Sequence, residues 1–153
     1  KGEFNLPVGK RDFNKKMREK LSVFIDRLKS GDYKFESMDF RELNTDDWNE
    51  KTFVYADPPY LITCATYNEQ DGWNEDLEKE LLSYLDKLND RKIRFALSNV
   101  LRSKGKENTI LMDWINRNIG KYHVIYLDYD YSNSNYQTKD KNSKAEEVLI
   151  VNY

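Results

Sequence analysis

Between residues 52 and 127 the sequence switches repeatedly between two hydrophobic periods, and this alternation restricts the available folds more than any other feature. TFVYA (52–56) and IRFAL (93–97) are short runs of β-branched and aromatic residues, the pattern of strands. Between them Leu77, Leu81, Tyr84, Leu85 and Leu88 recur at helical spacing. Asn74 is placed to cap that helix, with Glu75 and Asp76 in the first turn, where the dipole favours acids. TILMDWINRN (109–118) predicts a second helix ending before Gly120, and YHVIYL (122–127) a further strand. Strands alternating with helices predict an α/β fold on a mostly parallel sheet. EVLIVN (147–152) follows with no helix between, which predicts a closing C-terminal antiparallel hairpin across a loop of about twenty residues. Upstream, residues 12–29 set Met17, Leu21, Phe24, Ile25 and Leu28 on one helix face. Asp12 or Asn14 caps that helix, Ser30-Gly31-Asp32 stops it, and YKFESM (33–38) alternates as a strand would. The leucine stripes, Trp73 and Trp114 are expected in the core, and His123 is expected to be a structural residue of its strand.

The 153 residues suffice for one domain. No apolar run approaches the ~18 residues of a membrane span, so no membrane association is expected. The single cysteine, Cys64, cannot form an internal disulfide, which fits a cytoplasmic location. With His123 as the only histidine, no His/Cys metal site is expected. The chain opens at Lys1, and GEFNLPVG reads as the middle of a protein, so it is expected to be part of a longer one. The net charge of −2 hides blocks. Residues 1–31 carry nine basic and four acidic side chains, residues 32–86 four and fifteen, residues 87–121 nine and three. Two basic segments thus flank an acidic one. They are either solvated faces or a track for a phosphate backbone, and charge alone does not choose.

The stretch ADPPY (56–60) ends its strand with an acid, two prolines and an aromatic ring. In a sheet of this kind ligands bind at the carboxyl ends of strands. Three polar clusters are expected at that edge: Asp39-Phe40, Asp57 to Tyr60, and Ser98-Asn99, the last supporting the site from behind. Prolines carry no N–H and hold the preceding residue extended, so carbonyls there can lack an internal donor. A carboxylate oxygen and a carbonyl together accept both hydrogens of an exocyclic amino group. That draws the nitrogen lone pair out of ring conjugation and lets it attack an electrophile. Tyr60 offers a stacking face, worth ~1–3 kcal/mol per base elsewhere, for a base that has left its duplex.

This stretch resembles motif IV of the amino-group DNA methyltransferases. GEFNLPVGK (2–10), FESMDF (35–40), VYADPPY (54–60), FALSNV (95–100) and EEVLIVNY (146–153) stand in the order seen in adenine-specific enzymes related to the bacterial Dam methyltransferase. The resemblance covers nearly the whole chain, and the tail from residue 126 looks most like enzymes of restriction–modification systems. It implies a Rossmann-like methyltransferase sheet and methyl transfer from S-adenosylmethionine to the amino group of adenine in DNA. Residues 1–11 would end the target-recognition region, and 12–153 would hold the motifs from the third onward. Asp57 would orient the amino group, Pro58 supply the carbonyl and Tyr60 stack on the flipped adenine. Asp39, Phe40 and Asp57 would meet the methyl donor. Asn5 and Pro7, with Gly9, would lie near DNA. The polar, basic loop holding Asn133, Asn135, Tyr136 and Lys139 would touch the flipped nucleotide or phosphates.

The resemblance breaks in one place. The family's glycine-rich F-x-G-x-G donor motif is missing, the six glycines being scattered at 2, 9, 31, 72, 105 and 120. The expectation is therefore the carboxyl-terminal portion of a methyltransferase catalytic domain. Its partners would be double-stranded DNA, with the remaining N-terminal half or a cognate restriction endonuclease as candidates. The alternatives are a non-catalytic nucleic-acid-binding or assembly fragment, or a methyltransferase acting on RNA or guanine.

Overall fold

The computed structural model describes residues 13–63, 72–127 and 145–153. The chain forms two compact units that divide between Asn44 and Thr45.

The first unit holds helix α1 (Lys15–Ser30). Of the two predicted caps, Asn14 serves, its side chain accepting from the Met17 amide at 3.0 Å. Arg27 and Lys29 occupy the last turn, where the dipole favours cations. The α1 stripe is not core: Met17, Leu21, Phe24 and Ile25 are all exposed. Residues 33–38, predicted as a strand, also depart from expectation. Apolar and polar residue types alternate in the sequence as a strand's would, but all six side chains are exposed and no described strand pairs with the segment. Its backbone groups therefore have no ladder to join. A single 3₁₀ turn, Phe40–Glu42, follows, capped by Asp39.

The second unit runs β1 (Phe53–Ala56), α2 (Glu75–Asp90), β2 (Arg94–Ser103), β3 (Lys106–Glu107), α3 (Thr109–Arg117), β4 (His123–Leu127) and β5 (Glu146–Val151). The strands lie in the order β1-β2-β5-β4, with β3 paired to the far end of β2. β1 and β2 are parallel, from Phe53 opposite Arg94 to Ala56 opposite Leu97. β5 is antiparallel to both β2 and β4. β1, β2 and β4 thus share one direction, giving the mixed α/β sheet that the alternation predicts. The C-terminal hairpin is present, from His123 opposite Val151 to Leu127 opposite Glu147, with its second arm inserted at the centre.

β2 corrects one expectation. It does not stop at Leu97 but continues to Ser103, so Ser98 and Asn99 lie within the strand. The cause is the neighbours. Where β1 ends, β5 still pairs Ser98 with Leu149 and Asn99 with Val148, and β3 pairs Arg102 and Ser103.

Alternation along β2 sends Phe95, Leu97 and Asn99 to one face and Ser98 to the other. Helices α2 and α3 cover the first face, burying Leu81, Leu85, Leu88, Leu111 and Trp114 with Phe95, Leu97, Val148 and Ile150. Each fully buried aliphatic side chain contributes about 1.5–3 kcal/mol before entropic costs. Tyr122 joins strand to helix, stacked on Trp114 with centroids 4.8 Å apart and edge-on to Phe95 at 5.4 Å. Leu77, Tyr84 and Trp73 are only half-buried, and His123 is exposed on the outer strand β4. Asn152 closes the sheet at its other end. It accepts from the Phe95 amide at 2.7 Å and donates to the Ile93 carbonyl at 3.0 Å, which locks β5 to the start of β2. No helix among the described residues is long and apolar enough to cross a membrane.

Candidate active site

Asp57 to Tyr60 follow directly on Ala56, at the carboxyl end of β1, in the parallel half of the sheet. The two prolines end the strand because neither can donate to a ladder. A tight turn follows, the Thr63 amide donating to the Tyr60 carbonyl at 3.0 Å. The chain therefore folds back at once, leaving Asp57 exposed while Pro58 and Tyr60 are half-buried. Among the described residues no donor reaches the Pro58 carbonyl. The exposed Asp57 carboxylate is thus followed directly by a carbonyl that has no donor among the described residues.

Tyr60 is held from two sides. Its hydroxyl donates to Asp57 Oδ1 at 3.3 Å and lies 3.2 Å from Ser98 Oγ. Burial raises its pKa above the ordinary value near 10; the Ser98 hydrogen bond works against this, and the negative charges of Asp57 and Glu147 add to it. Tyr60 is thus a protonated donor at neutral pH. Glu147 pairs with Val100 and so shares the face of β2 that carries Ser98. Ser98, foreseen as support from behind, supports Tyr60 from mid-strand.

Asn99 points the other way. It is 1% exposed and donates to Glu78 Oε1 at 3.0 Å. Glu78 is fully buried and accepts from Asn108 Nδ2 at 3.0 Å on the same oxygen, and from Trp73 Nε1 at 2.6 Å on the other. Sequence reasoning missed this hub and the part played by Glu147. The signal for Glu78 was present, since it falls on the apolar stripe of α2 with Leu81, Leu82, Leu85 and Leu88. A carboxylate on a buried helix face requires donors.

In the first unit, Asp39 is fully engaged by its neighbour. Arg41 donates to Oδ1 from Nε at 2.8 Å and from its amide at 2.9 Å, and to Oδ2 from Nη2 at 2.8 Å. These bonds hold the Asp39 carboxyl down to about 2. Its folded value lies below the ordinary one, so the cap is complete above pH 3.8 and is lost as pH falls through about 2. An NMR titration should show the Asp39 carboxyl midpoint at about 2, and Arg41→Ala should move it up towards 3.8. A midpoint unchanged by Arg41→Ala would refute the assigned cause. Phe40 is half-buried beside it. Asn5, Pro7, Gly9, Asn133, Asn135, Tyr136 and Lys139 lie outside the described residues. No group of three potential metal ligands occurs among the described residues.

Residues 1–133 match the family of D12 class N6 adenine-specific DNA methyltransferases. The chain belongs to this family. It is 42% identical over 158 residues to Modification methylase StsI of Streptococcus sanguinis, an alignment covering 99% of this chain and 23% of the relative. It is 38% identical over 157 residues to Type II methyltransferase M.FokI of Planomicrobium okeanokoites, with 99% and 23% covered. Modification methylase LlaI of Lactococcus lactis subsp. lactis is 33% identical over 149 residues, with 91% and 24% covered. The chain therefore spans about a quarter of the length of these relatives. Membership gives the DPPY geometry a chemical context that a proline turn alone lacks.

Proposed function

We propose that these residues hold the amino-group acceptor of an enzyme that methylates adenine in DNA within a restriction–modification system. The observation that carries this reading is the DPPY segment itself: an exposed Asp57 carboxylate and a Pro58 carbonyl with no donor among the described residues, at the end of a parallel strand beside a half-buried Tyr60 ring. Asp57 and the Pro58 carbonyl accept the two amino hydrogens and orient the nitrogen lone pair for attack. Tyr60 gives the flipped adenine a flat surface. The family's methyl source is S-adenosylmethionine, which supplies an electrophilic methyl group when bound. Its charge suits a carboxylate such as Asp57; Asp39 and Phe40 are proposed donor contacts read from the sequence motif alone. Asp39 already has its oxygens on Arg41, so its contribution to the donor would be to fix the turn that bears Phe40. Asn5, Pro7, Asn133, Asn135, Tyr136 and Lys139 are the proposed DNA contacts, read from the sequence motifs.

The test is methylation of duplex DNA by the full-length protein carrying these residues, with nucleoside analysis of the product. N6-methyladenine is the expected product. Tyr60→Phe keeps the stacking face and should retain much of the activity. Tyr60→Ala should weaken capture of the flipped base by the ~1–3 kcal/mol of one stacking contact, or roughly 5- to 150-fold. A product methylated on any other base, or a Tyr60→Ala enzyme as efficient as Tyr60→Phe, would overturn the reading.

A further inference from the structure

We propose that Ser98 is a positioning residue that clears Asp57 for the substrate by taking over the hydrogen bond of Tyr60. This rests on the reading above, in which Asp57 accepts from an amino group. The difficulty it resolves is visible in the site. Asp57 Oδ1 already accepts from the Tyr60 hydroxyl at 3.3 Å, and an arriving amino group competes for that oxygen.

Ser98 provides the alternative. Its Oγ lies 3.2 Å from the Tyr60 hydroxyl. Both separations exceed the ~2.7–2.8 Å usual for O–H···O bonds, so the single phenolic hydrogen faces two acceptors at nearly equal, slack distances. With the hydrogen on Asp57, the Ser98 hydroxyl donates to the Tyr60 oxygen. With the hydrogen turned to Ser98, the serine accepts through a lone pair and directs its own hydrogen elsewhere. The exchange rotates two O–H bonds and requires no heavy atom to move. Afterwards Oδ1 has its full accepting capacity for the incoming amino hydrogen.

The fold makes Ser98 a fixed point for this exchange. It sits within β2 one residue past Leu97, the partner of Ala56, and so lies level with the start of the DPPY turn. Opposite it on β5 is Leu149, whose pairing keeps β2 extended there after β1 has ended. The Ser98 hydroxyl therefore stays in place when the turn and its ligands shift.

The test uses the full-length protein carrying these residues in single-turnover methylation of its duplex. Ser98→Ala removes one oxygen and leaves Tyr60 with Asp57 as its acceptor, so the rate should fall roughly tenfold, the weight of one contested hydrogen bond. Adding Tyr60→Phe to Ser98→Ala removes the competing hydroxyl, and the double variant should run roughly tenfold faster than Ser98→Ala alone. A merely structural serine would not be relieved by deleting a second hydroxyl. Ser98→Ala at the wild-type rate, or a double variant no faster than Ser98→Ala, would overturn the proposal. Asp57→Ala run alongside separates the two failures. If it is inactive while Ser98→Ala is normal, only the exchange falls. If it too is fully active, the amino-acceptor reading falls and takes the exchange with it.

Discussion

Asp57→Ala is expected to slow methyl transfer by at least ~10²–10³-fold, the cost of deleting one preorganised electrostatic contact to a reacting group. The side chain is exposed at the strand end, so its removal leaves no cavity, and the loss should fall on the reaction and not on folding. Without the carboxylate one amino hydrogen has no acceptor, and the nitrogen lone pair stays conjugated with the ring. Asp57→Asn is expected to fail as well, because the amide can turn its NH₂ towards a group that is itself a donor. The Pro58 carbonyl alone would then have to hold the amino group. Single-turnover rates on a duplex carrying the target adenine decide the matter. Near-normal transfer by Asp57→Ala would reduce DPPY to a turn.

The largest stability effect is expected at Glu78, whose partner Asn99 lies on the face of β2 opposite Ser98. Glu78→Ala strands three buried or half-buried donors, from Trp73, Asn99 and Asn108, and opens a void among them. Leaving a buried donor without its acceptor costs about 1–3 kcal/mol each, so losing all three bonds should be the largest of these effects. Glu78→Gln should cost less, about 1–3 kcal/mol. Its oxygen can still accept from both asparagines, but its NH₂ then meets the Trp73 N–H across a 2.6 Å separation. Denaturant unfolding, read by the midpoint of the tryptophan fluorescence transition, measures both. A Glu78→Ala midpoint equal to wild type would mean that the cluster is not a fold determinant.

Most of the second unit could be read in advance because its residues report their own surroundings. The stripe Leu81, Leu85 and Leu88 fits only a helix with one covered face, and Asn74 marks its start through the bonds to the Asp76 and Leu77 amides. DPPY was legible for the same reason, since two prolines dictate local geometry whatever the context. What escaped depends on neighbours. YKFESM has the alternation of a strand but no described partner. Ser98 and Asn99 read as a strand end because nothing local reveals that β5 and β3 extend the ladder. Their opposite duties, one to Tyr60 and one to Glu78, follow from the pleat once they lie within a strand. The Asn of EVLIVNY resembled part of a family signature, and its visible work is the clamp on Phe95 and Ile93. The α1 stripe shows the converse: a helix is legible from periodicity, but burial of its apolar face requires something to cover it.

The position of β5 has a consequence for how this unit comes into being. Residues 146–151 are made after every other described strand, yet they lie between β2 and β4. During synthesis β1, β2 and α2 can assemble as soon as they emerge, whereas β4 has no described neighbour until Val151 has left the ribosome. Until then the edges of β2 and β4 that β5 joins, each about 4.8 Å from it in the finished sheet, have no partner among the described strands. Pairings of such long sequence separation close slowly. Over that interval the Ser98 stretch of β2, on which the candidate site leans, is itself without its β5 partner, so a nascent chain carries DPPY before it carries a finished site.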